Sequence, residues 1–291
     1  MTTTQLIERR LGDWMRARLP AGLADFVMFV LKQGWACLFG GSLLLAIIGT
    51  RLIWQDDWAL NRYDALFGIA VGLQISFLAL KLETWAEARV ILLFHISGTA
   101  MELFKTHVGS WSYPEEAIFR LQGVPLFSGF MYAAVGSYMA RVTRLFDMQF
   151  APFPPMWLHF GLAVLAYVNF FSHHFIWDIR YVLFAGTVLI YARTRIWFRI
   201  GRNWYWMPLP LAAFFSSIFL WVAENIGTLT GTWIYSGQNP LDLVSMDKIG
   251  SWYLLLYVAF ATVTLVLRDP LKGTAVNPRQ SPVGPEQTAP V

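Results

Sequence analysis

Along most of the chain, apolar residues come in long, nearly unbroken runs, separated by short stretches rich in Arg, Asp, Gly and Pro. Eight runs stand out: Gly34 to Trp54, Tyr63 to Lys81, Arg89 to His107, Leu121 to Arg141, Met156 to His174, Arg180 to Ile196, Trp206 to Ile226 and Ser251 to Arg268. A bilayer's hydrocarbon core is about 30 Å thick and takes roughly 20 apolar residues of helix to cross. The pattern therefore predicts an all-α fold, a polytopic membrane bundle of about eight transmembrane helices over residues 23–271. Ahead of it, residues 5–19 set Leu6, Ile7, Leu11, Trp14, Met15 and Leu19 on one face with arginines opposite. That predicts an amphipathic helix within residues 1–22, lying on the membrane surface. Residues 272–291 are rich in Pro, Gly, Ser and Thr without apolar periodicity, as expected of a disordered tail.

Composition agrees with the pattern: 56% of residues are hydrophobic, 14% are charged, and the mean hydropathy is +0.48. The distribution of charge adds an orientation. Of 22 Lys and Arg, only Arg51, Arg62, Lys105, Arg120, Arg180 and Lys248 fall on one side of an eight-helix arrangement, and all the others fall on the side of the two termini. Positive charge concentrates in cytoplasmic loops, so both termini are expected to be cytoplasmic. The formal net charge of +4 is absorbed by this asymmetry and gives no reason to invoke nucleic acid. No cleavable leader is read at the start, and the first spanning helix is expected to act as an uncleaved signal. The lone Cys37 cannot form an internal disulfide.

Two stretches match at a fixed offset. "MELFKTHVGSWSY" aligns with "AENIGTLTGTWIY", pairing Glu102 with Glu224, Gly109 with Gly231, Trp111 with Trp233 and Tyr113 with Tyr235. Shorter matches flank them, such as Phe39-Gly40 with Phe160-Gly161 and Arg62-Tyr63 with Arg180-Tyr181. They point to a 4+4 internal repeat with halves of about 34–145 and 155–270. Because each half holds an even number of helices, the repeat is parallel, with its axis along the membrane normal. Recurrent aromatic residues at helix ends would produce part of the same match as an interfacial belt.

Glu102 and Glu224 are the acids placed well inside spanning helices, where ionisable groups are costly and tend to face the bundle interior. They are the first candidates for catalysis. His95, Gly98, Glu102 and Lys105 share one helical face. His173 and His174 follow Asn169 near the same depth, and Asn225 sits beside Glu224. The expected site thus has Glu102, Glu224, His173 and His174 as catalytic groups, with His95, Lys105, Trp111, Tyr113, Asn169, Asn225, Trp233 and Tyr235 around the substrate.

Blander roles compete for several of these residues. Lys105, one turn from Glu102, is placed to neutralise it, and His95 suits a packing role. Asn169 and Asn225 suit holding helices together or orienting the acids. The histidines and acids include ligand types for zinc, but no HxxxH or HxxE spacing appears, so neither a metal nor another cofactor is expected.

At these residues the chain resembles a known group. "FHISGTAMELFKTHVGSWSYPE", "GVPLFSGFMYAAVGSYMARV", "NFFSHHFIWDIR" and "WVAENIGTLTGTWIY" closely resemble the bacterial integral-membrane family called domain of unknown function 817, over nearly the whole chain. The resemblance implies a multi-pass protein of the bacterial inner membrane and leaves the chemistry open. The order Glu, Gly-x-Trp-x-Tyr, then "GVPL" is also similar to the layout of membrane carotenoid hydratases and small membrane lycopene cyclases. In those families membrane-embedded acids protonate an isoprenoid double bond, which implies that role for Glu102 and Glu224. The cyclases' Pro-x-Glu-Glu is missing, since Pro125 is followed by Leu126 and Phe127, and this counts against a cyclase. The leading expectation is an enzyme applying general-acid chemistry to a lipid or isoprenoid. A small-solute or proton-coupled transporter and a structural membrane subunit are the alternatives, and the oligomeric state is left open.

Overall fold

The computed structural model describes residues 3–55, 57–201, 203–239 and 242–271, with side chains from residue 10 onward. The expected disordered tail, 272–291, lies outside the described residues. The chain is mainly helical. In order come α1 (Thr3–Arg16), α2 (Ala21–Ala36), α3 (Leu38–Ile53), α4 (Arg62–Ala79) and α5 (Trp85–His107), then the short strands β1 (Trp111–Ser112), β2 (Arg120–Leu121) and β3 (Val124–Pro125). Next are α6 (Phe127–Leu145), β4 (Gln149–Ala151), α7 (Met156–Ser172), α8 (Arg180–Tyr191), β5 (Arg195–Ile200) and β6 (Asn203–Pro208). The chain closes with α9 (Leu209–Leu229), β7 (Ile234–Tyr235) and α10 (Asp247–Val266).

Local chemistry sets these limits. At the start of α5, the Thr84 side chain accepts from the Glu87 N–H while Glu87 accepts from the Thr84 N–H, a reciprocal capping box. Pro155 and Pro208 stand immediately before α7 and α9, where a fixed φ and a missing N–H do no harm. α5 and α9 end in the same way. Gly109 and Gly231 adopt φ of +72° and +65°. Ser110 N–H reaches back to the Lys105 carbonyl and Thr232 N–H to that of Gly227, each at 2.9 Å. Both are glycine-dependent Schellman turns.

All eight predicted apolar runs fall on helices, with four corrections at their edges: the run from Gly34 is broken at Cys37, so that Gly34 to Ala36 close α2 and the helix proper starts at Leu38, and three others follow. The helix expected from Leu121 begins at Phe127, because β2 and β3 form a tight hairpin first. The helix expected over Arg180 to Ile196 stops at Tyr191, and the one expected from Trp206 starts at Leu209. Between them the chain forms a β-hairpin, β5 with β6, which β4 extends to three antiparallel strands. The all-α reading therefore missed seven short strands among the described residues. Along β5, "RIWFRI", burial alternates residue by residue, the period of two that a strand requires; a window tuned to total hydrophobicity averages this away.

By length and composition, α9 and α10 are each able to cross a membrane. The pair α2 and α3, bent by 67° at its break, adds a third crossing if it counts as one span. Helices α4, α5 and α6 carry charges, and α7 and α8 have only 17 and 12 residues. Large apolar side chains nevertheless face outward on most of these helices, among them Leu52 at 79% exposure, Leu189 at 78% and Phe219 at 76%.

Two of the four apolar clusters share helix α10. One joins Phe39, Leu43, Ala70, Phe94 and Ala133, and the other joins Leu162, Ala166, Leu183, Leu209 and Leu254. Close approach of α5 to α6 depends on small residues: a Cβ on Gly98 would stand 2.6 Å from Tyr132 Cβ, and one on Gly136 2.6 Å from the Phe94 ring.

Candidate active site

At the end of the bundle where α5 and α9 stop, β1 and β7 pair antiparallel, Trp111 opposite Tyr235 and Ser112 opposite Ile234. Ser112 and Ile234 are separated by the same 122 positions that relate the two glutamates. The strands that follow the two acids therefore meet about a local twofold centre, which draws both helix ends together.

Glu102 is 2% exposed and Glu224 7%. Glu102 Oε2 accepts from Trp111 Nε1 and from the Tyr113 hydroxyl, and Oε1 accepts from the Tyr132 hydroxyl, each at 2.7 Å. Glu224 accepts from the Tyr235 hydroxyl and from Trp252 Nε1. In both cases a tyrosine eleven residues downstream supplies one donor. The two sets of donors also touch each other. The Trp111 ring lies edge-on to Tyr235 with centroids 5.6 Å apart, and the Tyr132 ring lies against Trp252 at 6.4 Å. Two aromatic bridges thus link the carboxyl groups, one built from β1 and β7 and the other from α6 and α10. Among the described residues neither acid forms an ion pair.

Beneath this bracket is a small apolar cavity of about 50 Å³, open on one side, whose lining includes Phe94, Gly98, Met101, Tyr132, Tyr167, Leu220, Trp252 and Leu256. That is far below the range of about 300–1,000 Å³ common for small-molecule sites, so a larger molecule would enter only if the lining side chains moved apart. Tyr132 and Trp252 line it while holding the acids, so the donors form its polar rim.

The other expected site residues divide between this cluster and its surroundings. Lys105 does not neutralise Glu102. Its Nζ lies 2.7 Å from His174 Nε2 and 4.1 Å from the centre of the Phe170 ring, because the aromatic donors already occupy both glutamate oxygens. His173 packs its ring on His174 and bonds the Asn169 carbonyl, away from the acids. His95 lies on the seam between α5 and α6, against Phe130 and Gly129. Trp233 gives way to Trp252 as the indole donor to Glu224, and instead lies where a Cβ on Gly227 would meet it.

The two asparagines are clasps. Asn169 donates to Asp178 and accepts from the Ile179 N–H, while Asn225 accepts from the Val244 N–H and donates to the Trp221 carbonyl. Burial pushes the Asp178 carboxyl up, but hydrogen bonds from Asn169 and from the Arg180 backbone and guanidinium outweigh this and hold it below the usual aspartate value. No group of three His, Cys, Asp or Glu among the described residues is arranged to hold a metal.

Sequence reasoning missed Tyr132 and Trp252. Their signal was available: each is an aromatic residue with a polar tip near the start of an apolar helix that packs on an acid-bearing one. Nothing in the spacing, however, showed which way either side chain turned.

Taken together, fold and site define a helical bundle with a buried, aromatic-bracketed pair of carboxyl groups above an apolar cavity. The profile of the family described as "Protein of unknown function (DUF817)" matches residues 25–260, and the chain belongs to that family. It is 39% identical over 242 residues to the "Uncharacterized protein YoaT" of Bacillus subtilis (strain 168), a match covering 83% of this chain and 91% of that protein. No solved structure matches the chain.

Proposed function

We propose that this is a multi-pass protein of the bacterial inner membrane that applies general-acid chemistry to an unsaturated lipid or isoprenoid. Eight spans, α3 to α10, with both termini cytoplasmic, account for the charge asymmetry and for the apolar side chains exposed along the helices. A parallel duplication of four helices accounts for the twin Schellman turns, the symmetric register of β1 with β7, and the two tyrosines that each serve the glutamate eleven residues before them.

One observation carries the enzymatic reading: both carboxyl groups are buried above an apolar cavity, receive hydrogen bonds from five aromatic side chains, and form no ion pair among the described residues. Glu224, with the smaller set of donors, is the proton source. Its O–H bond breaks as a C–H bond forms at one alkene carbon, leaving a cation on the neighbouring carbon. Tyr132 and Trp252, which line the cavity, stabilise that cation. In this scheme Glu102 is the ionised member of the pair and accepts a proton from carbon or from added water, and transfer back to Glu224 resets the pair.

Comparing the lipids of cells that carry the protein, lack it or carry Glu224→Gln tests this. A product should disappear in the variant while the folded protein stays in the membrane, and full turnover by Glu224→Gln removes the proposal. Leu255 lines both the apolar cavity and a second crevice toward the β1–β7 end, and this adjacency also fits a transport path. Solute flux into proteoliposomes holding the protein alone would favour that second reading.

A further inference from the structure

Strands β5 and β6 turn one face to the bundle, where Ile196, Phe198 and Ile200 are buried. Their register puts Arg195, Trp197 and Arg199 on the opposite face, across from Pro208, Trp206 and Trp204. The Arg195 guanidinium lies 4.1 Å from the centre of the Trp206 ring, and the Trp197 and Trp206 rings are 6.3 Å apart. The same arrangement recurs on the neighbouring helix. Through Met15, α1 shares a core cluster with Phe198 and Ile200 of β5, and just beyond it the Arg18 guanidinium lies 4.2 Å from the centre of the Trp14 ring. Trp14 and Trp206 are half exposed, and Arg18, Arg193 and Arg195 are exposed.

Acids near this face already have partners. Asp13 is held by Arg16, Asp147 by Arg199, and the buried Asp25 by Asn203 and Tyr205. Arg18, Arg193 and Arg195 form no ion pair among the described residues. An indole carrying a guanidinium on its ring has an apolar body suited to the edge of a hydrocarbon layer and a cationic tip suited to phosphate oxygens. Helix α8, which leads into β5, has 12 residues and rises about 18 Å, well short of a hydrocarbon core of roughly 30 Å. In a bilayer it would leave the hairpin at the head-group boundary and not out in the water.

We infer that the outer face of the β5–β6 hairpin, together with the Trp14–Arg18 pair, binds the head groups of anionic phospholipids in the leaflet on its side of the membrane. The inference rests on the membrane reading above and is independent of the acid chemistry.

The test uses the full chain with Cys37→Ser and Ala192→Cys, labelled with bimane at position 192, which is exposed just before the hairpin. The protein is reconstituted into bilayers of phosphatidylglycerol and phosphatidylcholine in equal parts, one or the other brominated near the head group, and quenching reports which lipid stands beside the hairpin. Phosphatidylglycerol should be favoured at least about fivefold. Arg18→Gln with Arg195→Gln should bring the preference below about twofold, since one basic residue near an anionic surface is worth roughly a fivefold change. Arg18→Lys with Arg195→Lys keeps the charge and should keep most of the preference, and Glu224→Gln should leave it unchanged. No preference in the wild type, or full preference in the Gln variant, overturns the inference and leaves the membrane reading intact; failure of the protein to enter bilayers removes both. A single-stranded RNA oligonucleotide that binds the protein in pure phosphatidylcholine, and fails to bind the Gln variant, would assign the face to nucleic acid and overturn the lipid.

Discussion

Glu83 and Arg141 show how this protein handles a charge pair inside the bundle. Both side chains are fully buried, 2.8 Å apart, and Ser137 and Gln74 complete the glutamate's hydrogen bonds at 2.7 Å each. Breaking such a pair by removing one partner costs about 3–5 kcal/mol, because a bare buried charge remains. Arg141→Met should therefore lower the unfolding midpoint in detergent sharply, and the double variant Glu83→Met with Arg141→Met should recover most of the loss. Equal midpoints for the single variant and the wild type would contradict this. In the sequence, Arg141 reads as one more positive charge at a cytoplasmic boundary. Its partner lies 58 residues away across two helices, a separation that no local periodicity can reveal. Glu102 and Glu224 were legible as buried acids because an acid inside an apolar run is conspicuous by itself. Their donors Tyr132 and Trp252 were not, since an aromatic residue in an apolar run fits the background.

At the scale of elements, the seam between α5 and α6 decides whether the donors reach the acids. Gly98 has no Cβ where Tyr132 passes, and a methyl group there would lie 2.6 Å from Tyr132 Cβ and Cγ. Overpacking of this kind costs about 1–3 kcal/mol. It would also tilt the ring whose hydroxyl holds Glu102. Gly98→Ala should lower both the unfolding midpoint and turnover, whereas Gly72→Ala in α4, where nothing lies within 4 Å of the added methyl, should be neutral or slightly stabilising, since alanine favours a helix by up to about 1 kcal/mol over glycine. If both variants behave alike, the seam does not position Tyr132. Helices α3 to α10 were readable because each is dominated by one long apolar run, whereas α2, which ends where the first run begins, was not read as a helix. The sheet of β4, β5 and β6 was hidden because its alternation sits between two such runs, and the pairing of β1 with β7 joins strands of two residues that carry no pattern of their own.

For the whole molecule, polarity is arranged inside out: ion pairs, a carboxyl pair and a lone lysine lie within, while leucine, phenylalanine and tryptophan cover the outside. The exposed apolar surface is compatible with a bilayer, since aqueous domains rarely expose contiguous apolar patches beyond a few hundred Å². On the membrane reading proposed above, the basic excess at the end holding β4, β5 and β6 is expected to mark the cytoplasmic side, with the carboxyl pair toward the other. The single native cysteine makes this measurable. With Cys37→Ser as background, Ser236→Cys reports on the end where β1 and β7 pair, and Ala192→Cys reports on the hairpin end; both positions are exposed. A membrane-impermeant maleimide applied to intact cells should label Ser236→Cys and spare Ala192→Cys until the membrane is broken. Labelling of both in intact cells would remove the membrane barrier from the picture. The reverse pattern would invert the bundle, and would put the carboxyl pair within reach of cytoplasmic rather than external ligands.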